Sequence, residues 1–294
     1  MPGSNAPAHQ PTNTPAAWSR RSLLKLASAA VPLLGVRSLF AAPQPAPNPA
    51  PFVPDGFPSH PPEMVREMVL VSHFNEKRVR ELVEARPALA RAAHDWGFGD
   101  WESALGAASH MGNRSIAEYL LSKGARPSLF SAAMFGQLEV VKAFLAAQPD
   151  AYRIRGPHSI TLLAHARVGG AAARPVYDFL QSLGDVEDTP APFAPEEASA
   201  ITGTYVFGGS GGQEVEVDSD TKIYLGSKMY SRPPQLNWTR KGTMTRPLFH
   251  LGDHTFYPAG APAVRIRFTQ DGSDMVMTVS DPDVVLTAKR RKMS

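Results

Sequence analysis

The 294-residue chain contains no cysteine. That absence excludes disulfide staples, thiolate metal sites and a cysteine nucleophile. A long hydrophobic run is also missing. The apolar stretch between Lys25 and Arg37 falls far short of the roughly 20 residues that cross a bilayer, so no transmembrane helix is expected. Acidic residues are absent before Asp55, while residues 1–41 hold Arg20, Arg21, Lys25 and Arg37. Beyond them the balance of 30 Lys and Arg against 27 Asp and Glu becomes 26 against 27. The net charge of +3 thus belongs to the N-terminus, and a basic surface for a nucleic-acid partner is not indicated. The cluster Lys289-Arg290-Arg291-Lys292 reads as a solvated tail. No glycine-rich loop joins a strand to a helix in the way that cradles phosphate.

What is present begins with Ser19-Arg20-Arg21-Ser22-Leu23-Leu24-Lys25. Two adjacent arginines precede a mildly apolar stretch broken by Pro32, and small residues follow at Ala41-Ala42. This resembles the twin-arginine export signal, a receptor-read address. The resemblance implies a periplasmic protein exported already folded, which fits the missing cysteine. The chain then divides into a signal at residues 1–41, a Pro/Ala-rich linker at 42–62, helices at 63–184, a Pro/acidic linker at 185–200 and short strands at 201–292. The expected fold class is α+β as separate domains.

The helical part is internally repetitive. Ser103 to Asn113, Pro127 to Gln137 and Ile160 to Gly169 each read as a short apolar helix with small residues in its second half, stopped by Gly112, Gly136 or Gly169. Each glycine is expected to supply a left-handed C-cap. A second helix follows, with Ile116 and Leu120, or Val140 and Phe144, spaced i,i+4 on one face. Leu105, Leu129 and Leu162 recur, and Leu138-Glu139-Val140-Val141-Lys142-Ala143-Phe144-Leu145 carries the second-helix pattern. These features resemble the ankyrin repeat, in about four copies. That resemblance implies an α-helical, ankyrin-like solenoid whose extended face binds another protein.

From Ile201 the pattern alternates with period two, as in Val264, Ile266 and Phe268 against Arg265 and Arg267. An antiparallel β-barrel or sandwich is expected. The runs Thr202-Gly203-Thr204-Tyr205, Gly252 to Ala259 and Val264 to Gly272 resemble the small β domains appended to exported serine hydrolases of the β-lactamase type, where the domain is accessory.

Catalytic patterns are weak. Gly208-Gly209-Ser210-Gly211-Gly212 lacks the helix that a nucleophile elbow requires, and Ser219-Asp220-Thr221-Lys222 joins strands rather than opening a helix. Asp218 and Asp220 lack the other ligands of a calcium loop. His250 and His254 flank a turn without a third zinc ligand. His110 and His165 lie on the first helices of their pairs and read as packed or solvated. No catalytic residue, metal ligand or cofactor is assigned. Two loops carry candidate binding residues. His94, Trp96, Phe98 and Trp101 lie in an insert where aromatics either anchor a partner or cap the helical stack. Arg153, Arg155 and His158 lie in a loop that either presents cations to a carboxylate or is solvated. The expected function is non-catalytic recognition of another envelope protein. The alternative is a small-ligand-binding or hydrolytic protein using the β-domain interior, lined by Tyr205, Tyr224, Trp238 and Tyr257.

Overall fold

The computed structural model describes residues 56–187, 191–208, 212–225, 228–282 and 284–292. Arg20, Arg21 and the rest of the expected signal lie outside the described residues, as does most of the first linker. Helices are followed by a closed β-barrel, so the α+β class with a barrel holds. No described helix is long and apolar enough to cross a membrane.

The helical layer contains α1 (Pro62–Val71), α2 (Glu76–Ala85), α3 (Ala104–His110), α4 (Arg114–Ser122), α5 (Leu129–Phe135), α6 (Leu138–Ala147), α7 (Leu162–Val168) and α8 (Arg174–Ser182). Their starts are written in the sequence. Asn75, Ser103, Ser128 and Thr161 each accept a backbone N–H at a helix N-terminus. Gly136 ends α5 at φ 77°, the left-handed cap expected of it. Gly169 does not behave so. It is right-handed, and its missing Cβ lets the backbone pass where that atom would lie 2.1 Å from the Met134 carbonyl oxygen.

The ankyrin solenoid is not what these helices build. A solenoid stacks like units around one continuous core. Here a two-stranded hairpin, β1 (Ala93–Asp95) and β2 (Trp101–Ser103), separates α2 from α3, and 3-10 turns at Pro87–Arg91, Pro149–Arg153, Pro157–Ser159 and Gly170–Ala173 break the series. The buried apolar residues fall into two clusters, one from Met68 to Met134 and one from Leu129 to Val186. The expected apolar face of α6 is also displaced by one residue. Val141 and Leu145 are buried, while Val140 and Phe144 face solvent. On α4 the expected pair Ile116 and Leu120 is buried.

The stretch read as a second linker carries a further helix, α9 (Pro195–Ile201), with Pro195 in its first turn and Glu197 accepting the Ala194 N–H at 2.8 Å. Ala198 and Ile201 of α9 pack into the barrel core. The barrel strands are β3 (Gly203–Phe207), β4 (Gln213–Leu225), β5 (Lys228–Arg240), β6 (Arg246–Gly252), β7 (Thr255–Pro258), β8 (Arg265–Asp271), β9 (Asp274–Asp281) and β10 (Val284–Arg290). Each pairs antiparallel with its sequence neighbour and β10 closes onto β3, while the outer parts of β4 and β5, about 219–225 and 228–236, pair only with each other. Asp218-Ser219-Asp220, expected as a turn, lies within continuous β4 beside a register shift at Asp220/Lys222. Ile266 and Phe268 point inward and Arg265 and Arg267 outward, as the alternation requires.

The described side chains pack the barrel interior. Tyr205, Trp238, Phe256, Phe268 and Met277 form its centre, and the Tyr205 hydroxyl donates to the Ile201 carbonyl at 2.6 Å. Tyr205 and Trp238, expected as possible cavity walls, are core residues. Tyr257 is half-buried and stacks on Phe249. The side chain of Tyr224 lies outside the described set.

Candidate metal centre

Four residues from four different segments converge where the helical layer meets the barrel. They are His73, just beyond α1, Glu102 on β2, His110 at the end of α3 and His158 in the Pro157–Ser159 turn. One ligand-capable atom from each lies within 4.8 Å of all the others, the only group of its kind among the described residues.

Local structure explains each placement. Ser72-His73 and Ser109-His110 are the same device used twice. Each serine hydroxyl donates to a carbonyl four residues back, Met68 at 2.7 Å and Leu105 at 2.6 Å. The following histidine leaves the end of the helix. The Asn113 side-chain amide also donates to the His73 carbonyl, tying the two helix ends together. Their rings meet edge to face with centroids 4.9 Å apart. The hairpin register sets Glu102 opposite His94. His158 has φ 59° and ψ 23°, a left-handed conformation uncommon for a residue with a Cβ, and Ser159 is also at φ 59°. Such a conformation costs about 1–3 kcal/mol and persists only where surrounding contacts impose it.

The hydrogen bonds assign the tautomers. His73 Nδ1 lies 3.0 Å from the Leu70 carbonyl and 3.1 Å from that of Val69. A carbonyl only accepts, so Nδ1 carries the proton and Nε2 presents its lone pair. His158 Nδ1 lies 2.8 Å from Asp100 Oδ2, and its backbone N–H donates to Asp100 Oδ1 at 2.9 Å. His158 Nε2 then points at Glu102 Oε2, 3.4 Å away. His110 Nε2 is 2.8 Å from Glu102 Oε1 and 3.1 Å from His73 Nε2. His73 Nε2 is 3.5 Å from Glu102 Oε2. Bonds of 2.0–2.1 Å in a tetrahedral site imply ligand–ligand edges of about 3.3 Å. The separations involve both Glu102 oxygens, and the set with one ligand atom per residue lies within 4.8 Å, somewhat wider than a closed tetrahedral shell.

Glu102 is fully buried. Burial alone would raise its pKa, but hydrogen bonds from His110 and His158 outweigh it and hold the carboxyl at about 2. Burial alone would lower that of His158, yet its hydrogen bonds to Asp100 and Glu102 push it up to about 9. His73 shifts down, chiefly through burial. Trp96 Nε1 donates to Glu102 Oε2 at 2.8 Å, a further hydrogen bond that orients the carboxylate. His165, beside the group with its ring centroid 6.3 Å from that of His110, is wholly buried. Its Nδ1 lies 2.8 Å from the Thr161 carbonyl, its Nε2 has no partner, and burial lowers its pKa to about 4.

The residues singled out in the sequence are scattered. Trp96 and His158 lie inside the centre. His94 is half-buried with its ring 4.7 Å from that of Trp96, outside the ligand group. Phe98 packs on Trp238 of the barrel at 5.7 Å. Trp101 is 64% exposed. Arg153 pairs with Asp185, and Arg155 Nη1 donates to the Arg153 carbonyl at 2.9 Å. His250 Nδ1 lies 2.9 Å from the Pro192 carbonyl, and His254 lies 3.4 Å from Glu197. Sequence reasoning assigned no role in this centre to His73, Asp100, Glu102 or Arg246 and set His110 aside. The one signal for two of them was the repeated Ser-His dipeptide at equivalent helix ends.

Three imidazoles and one carboxylate make a nitrogen-rich donor set. It suits Zn, Fe, Co, Ni or Cu better than the all-oxygen preferences of Ca or Mg. No protein-family model matches the chain, and no curated protein matches it. The ankyrin family and the exported serine hydrolases are accordingly not shown as relatives.

Proposed function

We propose that this protein binds one first-row transition-metal ion through His73, Glu102, His110 and His158, and that it does so outside the cytoplasm. The observation that carries the first part is the convergence of four ligand atoms within 4.8 Å. The outer ring nitrogens of His73 and His158 are already occupied by backbone carbonyls and by Asp100. That outer support is the usual companion of metal-bound histidine. Four protein ligands from four segments favour a closed site that fastens those segments to each other. Export rests on Arg20-Arg21 and the short apolar stretch after them.

The test is metal content. The chain without residues 1–41, stripped with chelator and re-equilibrated with equimolar Zn(II), Fe(II), Co(II), Ni(II) and Cu(II), is expected to retain one ion per chain by mass spectrometry. His73→Ala and His110→Ala are expected to lose it. Retention unchanged in both variants, or none in the parent, would remove the reading. Fusion of residues 1–62 to a reporter, with Arg20 and Arg21 changed to Lys, checks export.

A second reading keeps recognition of an envelope protein. It rests on Trp101, exposed on the strand that also carries Glu102. Crosslinking in the native compartment should yield a partner adduct that Trp101→Ala abolishes. An adduct unaffected by that change would end this reading.

A further inference from the structure

His158 cannot hold itself in place. Its left-handed backbone and that of Ser159 need external ties, and besides the loop's own turn hydrogen bonds and the contacts of the ring with Glu102, His73 and His110, those ties lead to the hairpin turn and to the barrel. Asp100, between β1 and β2, takes both the backbone N–H and the ring Nδ1–H of His158, at 2.9 and 2.8 Å. Asp100 is in turn gripped by Arg246, the first residue of β6, through Nη1 at 3.0 Å. The other bonds of Arg246 go to the carbonyls of Ala259, Trp96 at 2.8 Å and Gly97 at 3.0 Å. The same guanidinium therefore fixes the turn of the hairpin that brings in Glu102. Ser159 accepts the Gly260 N–H at 2.8 Å. Gly260 sits at φ 83°, and a Cβ there would lie 2.2 Å from the Asp100 carboxylate, so only glycine admits Asp100 so close to the barrel.

We propose that the barrel supplies the outer shell of the metal centre, with Asp100 and Arg246 as positioning residues that set the orientation of His158 and the hairpin and hence the affinity for the ion. This rests on the metal reading above. A carboxylate that accepts the Nδ1–H of a ligand histidine fixes the tautomer and raises the donor strength of Nε2. Arg246 adds a fork that holds that carboxylate and two hairpin carbonyls in one geometry. The barrel thereby controls two of the four ligands without contributing one.

The probe is Co(II), whose visible absorption reports ligand geometry, titrated into the metal-free chain lacking residues 1–41 in competition with a chromophoric chelator. Asp100→Ala and Arg246→Met are expected to weaken Co(II) binding about 10–100-fold and to shift the visible bands. Asp100→Asn, which keeps one acceptor, and Arg246→Lys, which keeps the charge without the fork, should recover part of both effects. Gly260→Ala should act in the same direction as Asp100→Ala. Phe268→Leu, a barrel-core change away from the relay, provides a destabilised control and should leave affinity and spectrum within about twofold of the parent.

If the parent binds no Co(II), the metal reading and this inference both fall. If the parent binds and Asp100→Ala and Arg246→Met match it in affinity and spectrum, the inference alone falls. It falls equally if Phe268→Leu weakens binding as much as they do, because the effect would then be general destabilisation. Should Asp100→Ala not fold, Asp100→Asn against Arg246→Lys decides by the same criteria.

Discussion

The buried Asp100–Arg246 pair gives the sharpest stability prediction. Both side chains are almost fully enclosed, at 2% and 3% exposure, and the charges meet at 3.0 Å. At an effective dielectric constant near 20 their attraction is about 5 kcal/mol, most of it offset by desolvation. Removing one partner is different, because it leaves the other charge enclosed. Arg246→Met strips Asp100 of one of its two cationic partners, leaving only His158, and leaves the carbonyls of Ala259, Trp96 and Gly97 without their guanidinium donor. The expected cost is about 3–5 kcal/mol. Near 2–4 °C per kcal/mol for a chain of this size, the midpoint should fall by about 6–20 °C. Asp100→Asn keeps an acceptor and should cost less, about 1–3 kcal/mol. The double variant should cost at least 1 kcal/mol less than the summed singles, because each single charges the other partner's burial to the total. Urea unfolding of metal-free protein in excess chelator measures all four corners of the cycle, and tryptophan fluorescence is apt because Trp96 and Trp238 lie on opposite sides of the contact. An Arg246→Met cost under about 1 kcal/mol, or strict additivity of the two changes, would refute the argument that this pair fastens the barrel to the hairpin.

Four further outcomes follow from individual residues. His165 is buried with a pKa near 4, so below 6.5 the unfolded chain binds a proton that the folded one refuses. Metal-free protein should lose about 2 kcal/mol from this group between pH 7.5 and 5, and His165→Leu should flatten that slope in urea titrations. His158 has the opposite sign: raised to about 9, it stabilises fully below 6.5, and that contribution fades as pH climbs through 9. On α6, Val141→Ala should cost about 2 kcal/mol and Val140→Ala under about 0.5, since only Val141 is buried; equal costs would contradict the observed helix face. Gly136→Ala combines a left-handed φ with a Cβ 2.1 Å from the Ala172 carbonyl oxygen and should cost about 2–4 kcal/mol, whereas Gly124→Ala, left-handed but open, should cost about 1–2 by thermal melts.

The parts of the fold that showed in the sequence are those set by local periodicity. Alternation at Val264, Ile266 and Phe268 placed a strand and its inner face. Gly136 and the recurring leucine at Leu129 placed α5 and its end. Closure of eight strands into a barrel is a long-range outcome, fixed by the pairing of β10 with β3 across the whole domain, and no local pattern encodes it. The phase of α6 failed for a related reason. Its run of valine, alanine, phenylalanine and leucine is apolar on more than one face, so spacing alone could not choose between Val140/Phe144 and Val141/Leu145. Packing against α5 and α8 chose the second pair. Treating the helical pairs as one repeating stack missed what lies between them, the hairpin and the 3-10 turns, which divide the apolar residues into two cores.

That omission also explains why the metal centre was hidden. Metal motifs are legible when ligands share a helix face or a short loop, because spacing then implies geometry. Here His73 and His110 lie 37 residues apart, and His158 and Asp100 lie 58 apart. Each ligand sits where a periodic element stops: past the end of α1, in the hairpin, at the last residue of α3, and in a left-handed turn. Such positions carry no pattern of their own, so each histidine taken singly reads as packed or solvated. The relation that connects them is between elements. Equivalent Ser-His ends are brought side by side because α1 packs on α3. Glu102 and Asp100 are delivered by the insert that interrupts the repetition. Breaks in a repetitive sequence are therefore where to look for its chemistry. Stacking the regular units needs no further residues, whereas an inserted hairpin with two buried carboxylates must find partners for both charges.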